Sequence, residues 1–223
     1  MEPTTLFYIL ITILLIKFVL DTVLNHLNAK HFNDTPPNEV SDVYEINEYQ
    51  KSQLYKKTNH NFNIFSSLFS LITTLSFFFF NGFLMLDNFA RGFSDNTITT
   101  TLIFFGIIII GSDIISIPFS LYKTFVIEGE FGFNKTSKKT FFLDKLKGLL
   151  MTIFLGGAIL ALITWFYEFT GSYFWLYTWG LITLFSLFMN MFYSKLFVPL
   201  FNKQTPLKEG ELKNAITRYT DSV

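Results

Sequence analysis

The residues able to carry metal or acid–base chemistry are few in this chain, and their spacing does not favour it. Only three histidines occur, His26, His31 and His60, and there is no cysteine. A helical zinc pair needs histidines about four residues apart, so that both imidazoles share one face with a glutamate between them as general base. His26 and His31 are five apart and no HExxH is present. All three lie in a polar stretch, where solvated loop histidines are the plain reading and a metal site the more demanding one. GxSxG, Walker and GxGxxG motifs are missing too. Without cysteine there is no thiolate ligand or nucleophile. No self-contained catalytic constellation is legible.

Charges inside apolar stretches are the next candidates, because a charge in hydrocarbon is costly and usually functional. Asp113 interrupts a long apolar run. It either faces a polar interior and takes a proton, or makes a structural hydrogen bond to Ser112, Ser116 or another helix. Lys17 and Asp21 are four apart in an earlier run. That spacing suits a local ion pair with the lysine stem reaching toward the interface; a polar transport path is the alternative. A third candidate is residues 122–135, YKTFVIEGEFGFNK. Glu128 and Glu130 stand there among Phe125, Val126, Ile127, Phe131 and Phe133, which a solvated loop does not need. The segment is expected to fold back on protein or dip into the membrane interface. Gly132 allows a positive-φ turn, and Thr136 or Ser137 is placed to cap the next helix.

The elements that hold these residues are membrane spans. The 223 residues are 50% hydrophobic but only 15% charged, against roughly 25% charged in an average globular protein. The apolar residues are blocked together, which excludes a soluble globule. A helical crossing takes about 20 apolar residues. Residues 64–86, 98–121, 149–167 and 174–194 meet that need; residues 6–24 form a weaker fifth span containing Lys17 and Asp21. Residues 1–5 hold Glu2 and no base, so the first span is read as retained, not as a cleaved signal. The fold class is therefore all-α, a polytopic membrane protein with five transmembrane helices. Pro118 is expected to kink the third of them.

Orientation follows from lysine and arginine, which are enriched in cytoplasmic loops. Fifteen of the 17 bases fall in residues 25–63, 122–148 and 195–223; Arg91 lies in the short loop opposite and Lys17 in the first span. This places the N-terminus outside and the C-terminus in the cytoplasm. Trp165, Tyr167, Tyr173, Trp175, Tyr177 and Trp179 surround the outer turn between spans four and five, as interfacial rings should. The net charge of zero argues against a nucleic-acid partner.

Three blocks carry a resemblance. IPFSLYKTFVIEGEFGFNKTS (117–137), KSQLY (51–55) and LFVPLFNKQTPLKEGELKNAI (196–216) are similar, in order and spacing, to segments of the integral-membrane CAAX prenyl proteases, which are zinc metallopeptidases. One departure is Gly129, where the family has a second acid directly after the first; Glu130 is the nearest residue to take that part. The resemblance implies Glu128, Gly132, Phe133, Asn134, Pro199 and Phe201 as motif or chamber residues. It further implies a seven-helix protein around an intramembrane chamber, with zinc held by an HExxH helix and a distal glutamate, zinc polarising the scissile carbonyl. Those ligands are not in this sequence, so zinc belongs to the full-length protein and none is expected on this chain.

The expected organisation is a five-helix membrane domain over residues 1–200. Residues 201–223 begin a cytoplasmic segment leading to a catalytic region that is either continuous with this chain or separately encoded. The expected partners are membrane lipid, the C-terminus of a peptide or protein substrate, and that catalytic region. Compactness and composition suggest a bacterial inner membrane. A non-enzymatic five-helix scaffold or transporter subunit is the alternative function.

Overall fold

A computed structural model describes residues 2–32, 35 and 45–222. Among them every regular element is helical. The chain divides into two compact units, Met1–Ala161 and Leu162–Val223.

In the first unit, α1 (Pro3–Ala29) opens with proline in its first turn, where the missing N–H has no partner to lose. Next comes α2 (Ile46–Phe79), 34 residues long and thus about 51 Å. Only its second half is apolar. A crossing of about 20 residues fits from near His60 to the end of the helix, so residues 46–59 project about 20 Å beyond the hydrocarbon. Phe7 packs on Phe78 and Phe79, with ring centroids 6.0 and 5.6 Å away, while Phe32 meets His60 at 6.0 Å. The two helices are therefore antiparallel.

The apolar stretch 64–86 is not one straight span. It breaks at Asn81, which adopts the left-handed conformation (φ 55°) that asparagine tolerates better than most residues. Residues beyond the break form a separate helix, α3 (Gly82–Arg91). The turn is tight: a Cβ on Gly82 would lie 2.5 Å from the Phe77 ring. On α3 the Arg91 Nε donates to the Asp87 carboxylate at 2.8 Å, and that bond, with the charge behind it, raises the guanidinium above its ordinary value.

The next helix, α4 (Thr97–Leu121), is capped by Asn96, whose side chain accepts the Thr99 N–H at 3.0 Å. Glycine and acids in residues 122–130 suggest a loop; instead the helix continues through a π-helical segment (Tyr122–Ile127) into α5 (Glu128–Glu130). The widened turn begins four residues after Pro118, whose ring and missing N–H already disturb the ladder. After a short connection, α6 (Lys138–Met151) starts at Ser137, whose hydroxyl accepts the Thr140 N–H at 3.1 Å. A second π segment (Thr152–Gly156) leads into α7 (Gly157–Phe169).

In the second unit, the end of α7 turns through Gly171 (φ 53°) and a single 3-10 turn, Gly171–Tyr173, into α8 (Phe174–Leu196). Phe166 and Tyr167 pack on Tyr177 and Phe174, at 5.6 and 5.5 Å, closing the turn between spans four and five into an antiparallel hairpin. Short helices α9 (Val198–Phe201) and α10 (Glu211–Thr220) come after it. Among the described residues, five helical stretches are long and apolar enough to cross a membrane: Thr4–Ala29, Ile46–Phe79, Thr97–Glu130, Lys138–Phe169 and Gly171–Leu196.

Candidate functional site

Two of the three sequence blocks meet in space. Tyr55, the last residue of the KSQLY block, projects from the polar half of α2. Its ring stands edge-on to Phe131 at 5.1 Å and to Phe133 at 5.0 Å. Offset and edge-on aromatic pairs add about 0.5–1.5 kcal/mol beyond simple burial. Phe131 is buried and Ile127, one turn earlier, is almost fully so. These are among the best-packed side chains of the unit, and they lie at the end of the bundle where α2 and α4 outrun the membrane.

The backbone there is fixed as tightly as the rings. The Glu128 carbonyl accepts the N–H groups of Phe133 and Asn134 at 2.8 and 3.1 Å, and the Gly129 carbonyl accepts that of Gly132 at 3.2 Å. Bonds from the sixth residue to the first and from the fifth to the second make a Schellman cap, which needs a left-handed residue at its fifth position. Gly132 supplies it, with φ 80°. The Asn134 Oδ1 then accepts the Thr136 N–H at 2.7 Å, handing the chain to the Ser137 cap. The segment folds back on protein, as expected of it.

This cap holds Glu128 at the rim of a cavity of about 890 Å³ between α4 and α6, lined also by Asp113, Ser116, Thr124, Asp144 and Lys145. The partner of Asp113 is Lys145 on α6: the Nζ donates to Oδ1 at 3.2 Å, with both side chains about one-third exposed. Of the two readings of Asp113, this is the bond to another helix. Ser116 instead donates to the Asp113 backbone carbonyl at 2.8 Å. Asp113 sits sixteen residues after the start of α4, about 24 Å along, and therefore near the interface. A partly exposed pair of this kind contributes about 0–1 kcal/mol. Glu130 is exposed and does not line the cavity.

The π segment explains how this helix serves two neighbours. It is equivalent to one inserted residue, which rotates the helix beyond it by about 100°. In regular α-helix Ile127, fourteen residues after Asp113, would return to within about 40° of the cavity face. As built, it packs toward α2 beside Phe62, Phe119 and Tyr122, and Glu128 takes the cavity side. The second π segment contributes Thr152 to the same cavity.

Lys17 and Asp21 form the expected local ion pair at 2.6 Å. They line a second space, a furrow of about 710 Å³ between α1 and α2. Tyr55, Asn59, Asn63, Ser67, Ser70 and Thr74 of α2 face it, as does His60. Asn59 donates back to the Tyr55 carbonyl at 2.9 Å; Asn63, Ser67 and Ser70 are exposed. Sequence reasoning misses the furrow, although these residues recur every three or four positions on one helix face. Among the described residues no group of three His, Asp or Glu side chains is arranged to hold a metal ion, so the donors present do not fit zinc. The third block lies in the second unit. Pro199 occupies the first turn of α9, Phe201 ends it, and the Asn202 N–H bonds the Val198 carbonyl at 2.9 Å.

The chain resembles a CAAX prenyl protease 1 homolog of Oryza sativa, 42% identical over 58% of this chain and 31% of that protein. It is 30% identical to a probable CAAX prenyl protease 1 of Schizosaccharomyces pombe over 93% of this chain and 47% of the relative. The crystal structure of S. mikatae Ste24p superposes with a TM-score of 0.91 at 27% identity, covering all of this chain and 53% of that one. The chain thus spans about half the length, or less, of the proteins it matches. These relatives are eukaryotic, and the expectation of a bacterial inner membrane finds no support among them. Residues 25–203 match the family described as CAAX prenyl protease N-terminal, with five membrane helices, and the chain, a multi-pass integral membrane protein, belongs to that family.

Proposed function

We propose that this chain is the membrane half of a CAAX prenyl protease-like zinc metalloendopeptidase, forming walls of an intramembrane chamber in which the C-terminal peptide of a substrate is processed. The observation that carries the reading is the junction at Tyr55. There the first block locks onto Phe131 and Phe133 of the second, so that two stretches distant in sequence make one packed surface. Phe119, near the start of the second block, extends that surface along α2. It packs on Phe62, Phe65 and Phe69 at 6.4, 6.1 and 4.9 Å.

The α1–α2 furrow and the α4–α6 cavity are polar spaces at membrane depth and at its edge, suited to a hydrophilic peptide that lipid would reject. The cytoplasmic side is the one reached by Tyr55, Glu128 and Lys145. Peptide-bond hydrolysis and zinc belong to an HExxH-bearing region outside this chain. The test is complementation: co-reconstitute this chain with the HExxH-bearing half of a relative and follow cleavage of a prenylated CAAX peptide. Cleavage that needs both parts and is abolished by a zinc chelator is expected; no cleavage from any assembled pair overturns the reading.

A further inference from the structure

The short helix α3 divides its surroundings into three. At about 100° per residue, Leu86, Ala90 and Phe83 fall on one side, and there Ala90 is completely buried while the Phe83 ring packs on Phe77 and Phe78 at 5.5 and 5.1 Å. Met85, Phe89 and Phe93 fall on a second side and are 67%, 54% and 66% exposed. Asp87 and Arg91, joined by their ion pair, lie about 180° from Phe89. Leu84 and Asn88 mark the border between the last two.

At ten residues, or about 15 Å, α3 is too short to cross hydrocarbon. It is nevertheless tied at both ends to helices that do: two residues separate it from α2, and residues 92–96 lead to α4. The last turn of α2 continues the apolar surface, with Phe79 and Phe80 60% and 77% exposed. A charged pair is costly in hydrocarbon, and three large apolar side chains are costly in water. Asp87 and Arg91 line a cleft of about 480 Å³ against α4, with Thr97, Thr101 and Phe104; a helix axis in the membrane plane, with that cleft open to water, satisfies both faces.

We propose that α3 docks in the boundary between headgroups and acyl chains, with Met85, Phe89 and Phe93 inserted and the Asp87–Arg91 pair in water. Docking is by apolar insertion. The helix and its flanks to residue 96 carry Asp87, Arg91 and Asp95 as their only charges, so anionic lipid is not required. The helix thereby fixes the depth at which α2 ends, and with it the depth of the polar furrow along α2.

The absence of native cysteine makes the test direct. Met85→Cys, Phe89→Cys and Arg91→Cys are spin-labelled one at a time in phosphatidylcholine vesicles, with Asp95→Cys as the aqueous reference and Ile72→Cys as the mid-membrane one. Collision with oxygen is compared with collision with a water-soluble nickel chelate. Labels at 85 and 89 are expected to favour oxygen severalfold over the label at 91, at a depth shallower than position 72, with or without anionic lipid. Aqueous behaviour at 85 and 89 overturns the proposal. So does shielding from both reagents, which means a protein cover such as a second copy, and so does a depth equal to position 72. A pattern that appears only with anionic lipid also overturns it.

Discussion

Gly132 is the residue on which the Glu128 cap turns. A Cβ there would meet nothing within 4 Å, so the cost of substitution is purely the left-handed backbone, about 1–2 kcal/mol for a residue with a side chain. Gly132→Ala is expected to lower thermal stability in detergent by that amount without changing helical content; an unchanged midpoint would contradict the assigned cap. Gly82 fails for a different reason. Its φ is ordinary, but a Cβ would collide with the Phe77 ring. Gly82→Ala is expected to cost about 1–3 kcal/mol by overpacking, with partial recovery in the Gly82→Ala, Phe77→Leu double variant. No recovery would mean that the ring is not the obstacle. The glycine at 132 was legible from its neighbours in sequence. The one at 82 was not, because its constraint comes from a ring that reaches it only after the chain has turned.

Among the elements, α4 and α6 are joined by Asp113 and Lys145. The pair is about one-third exposed, so its net contribution is small despite its place at the membrane edge. A double-mutant cycle with Asp113→Asn and Lys145→Met is expected to give a coupling of about 0.5 kcal/mol; a coupling near zero would show that the two helices are held by their apolar contacts alone. That Asp113 needed a partner was legible from its apolar surroundings. That the partner is thirty-two residues away in sequence was not, since periodicity describes one helix at a time. The break at Asn81 was missed because the apolar residues on both sides of Asn81–Gly82 read as one span, although that pair is itself a turn signal; the helix over residues 122–130 was missed because glycine and acids suggest a loop. At the first, the Phe77 and Phe78 rings of the preceding turn pack on Phe83 just past the break; at the second, Tyr55, about seventy residues earlier, packs on Phe131 and Phe133 just past the helix.

At the scale of the whole molecule, the distribution of bases predicts which side of the membrane each connection faces. With single cysteines on intact cells, an impermeant thiol reagent is expected to label position 91 from outside and to leave position 138 unlabelled until the cells are opened. External labelling at 138 would reverse the orientation. The five spans were legible because hydrocarbon thickness demands them, while the two polar spaces between them were not, being made by faces that come together only on packing. One residue belongs to both spaces. Tyr55 lines the furrow between α1 and α2 and also holds the rings that brace the Glu128 cap. A ligand that displaces that phenol from the furrow side is expected to disturb the Phe131 and Phe133 contacts that flank the Glu128 cap. Coupling between the two compartments is the expected consequence: a ligand of the furrow that moves the Tyr55 ring would change the affinity of the other cavity, and by the same factor in either direction.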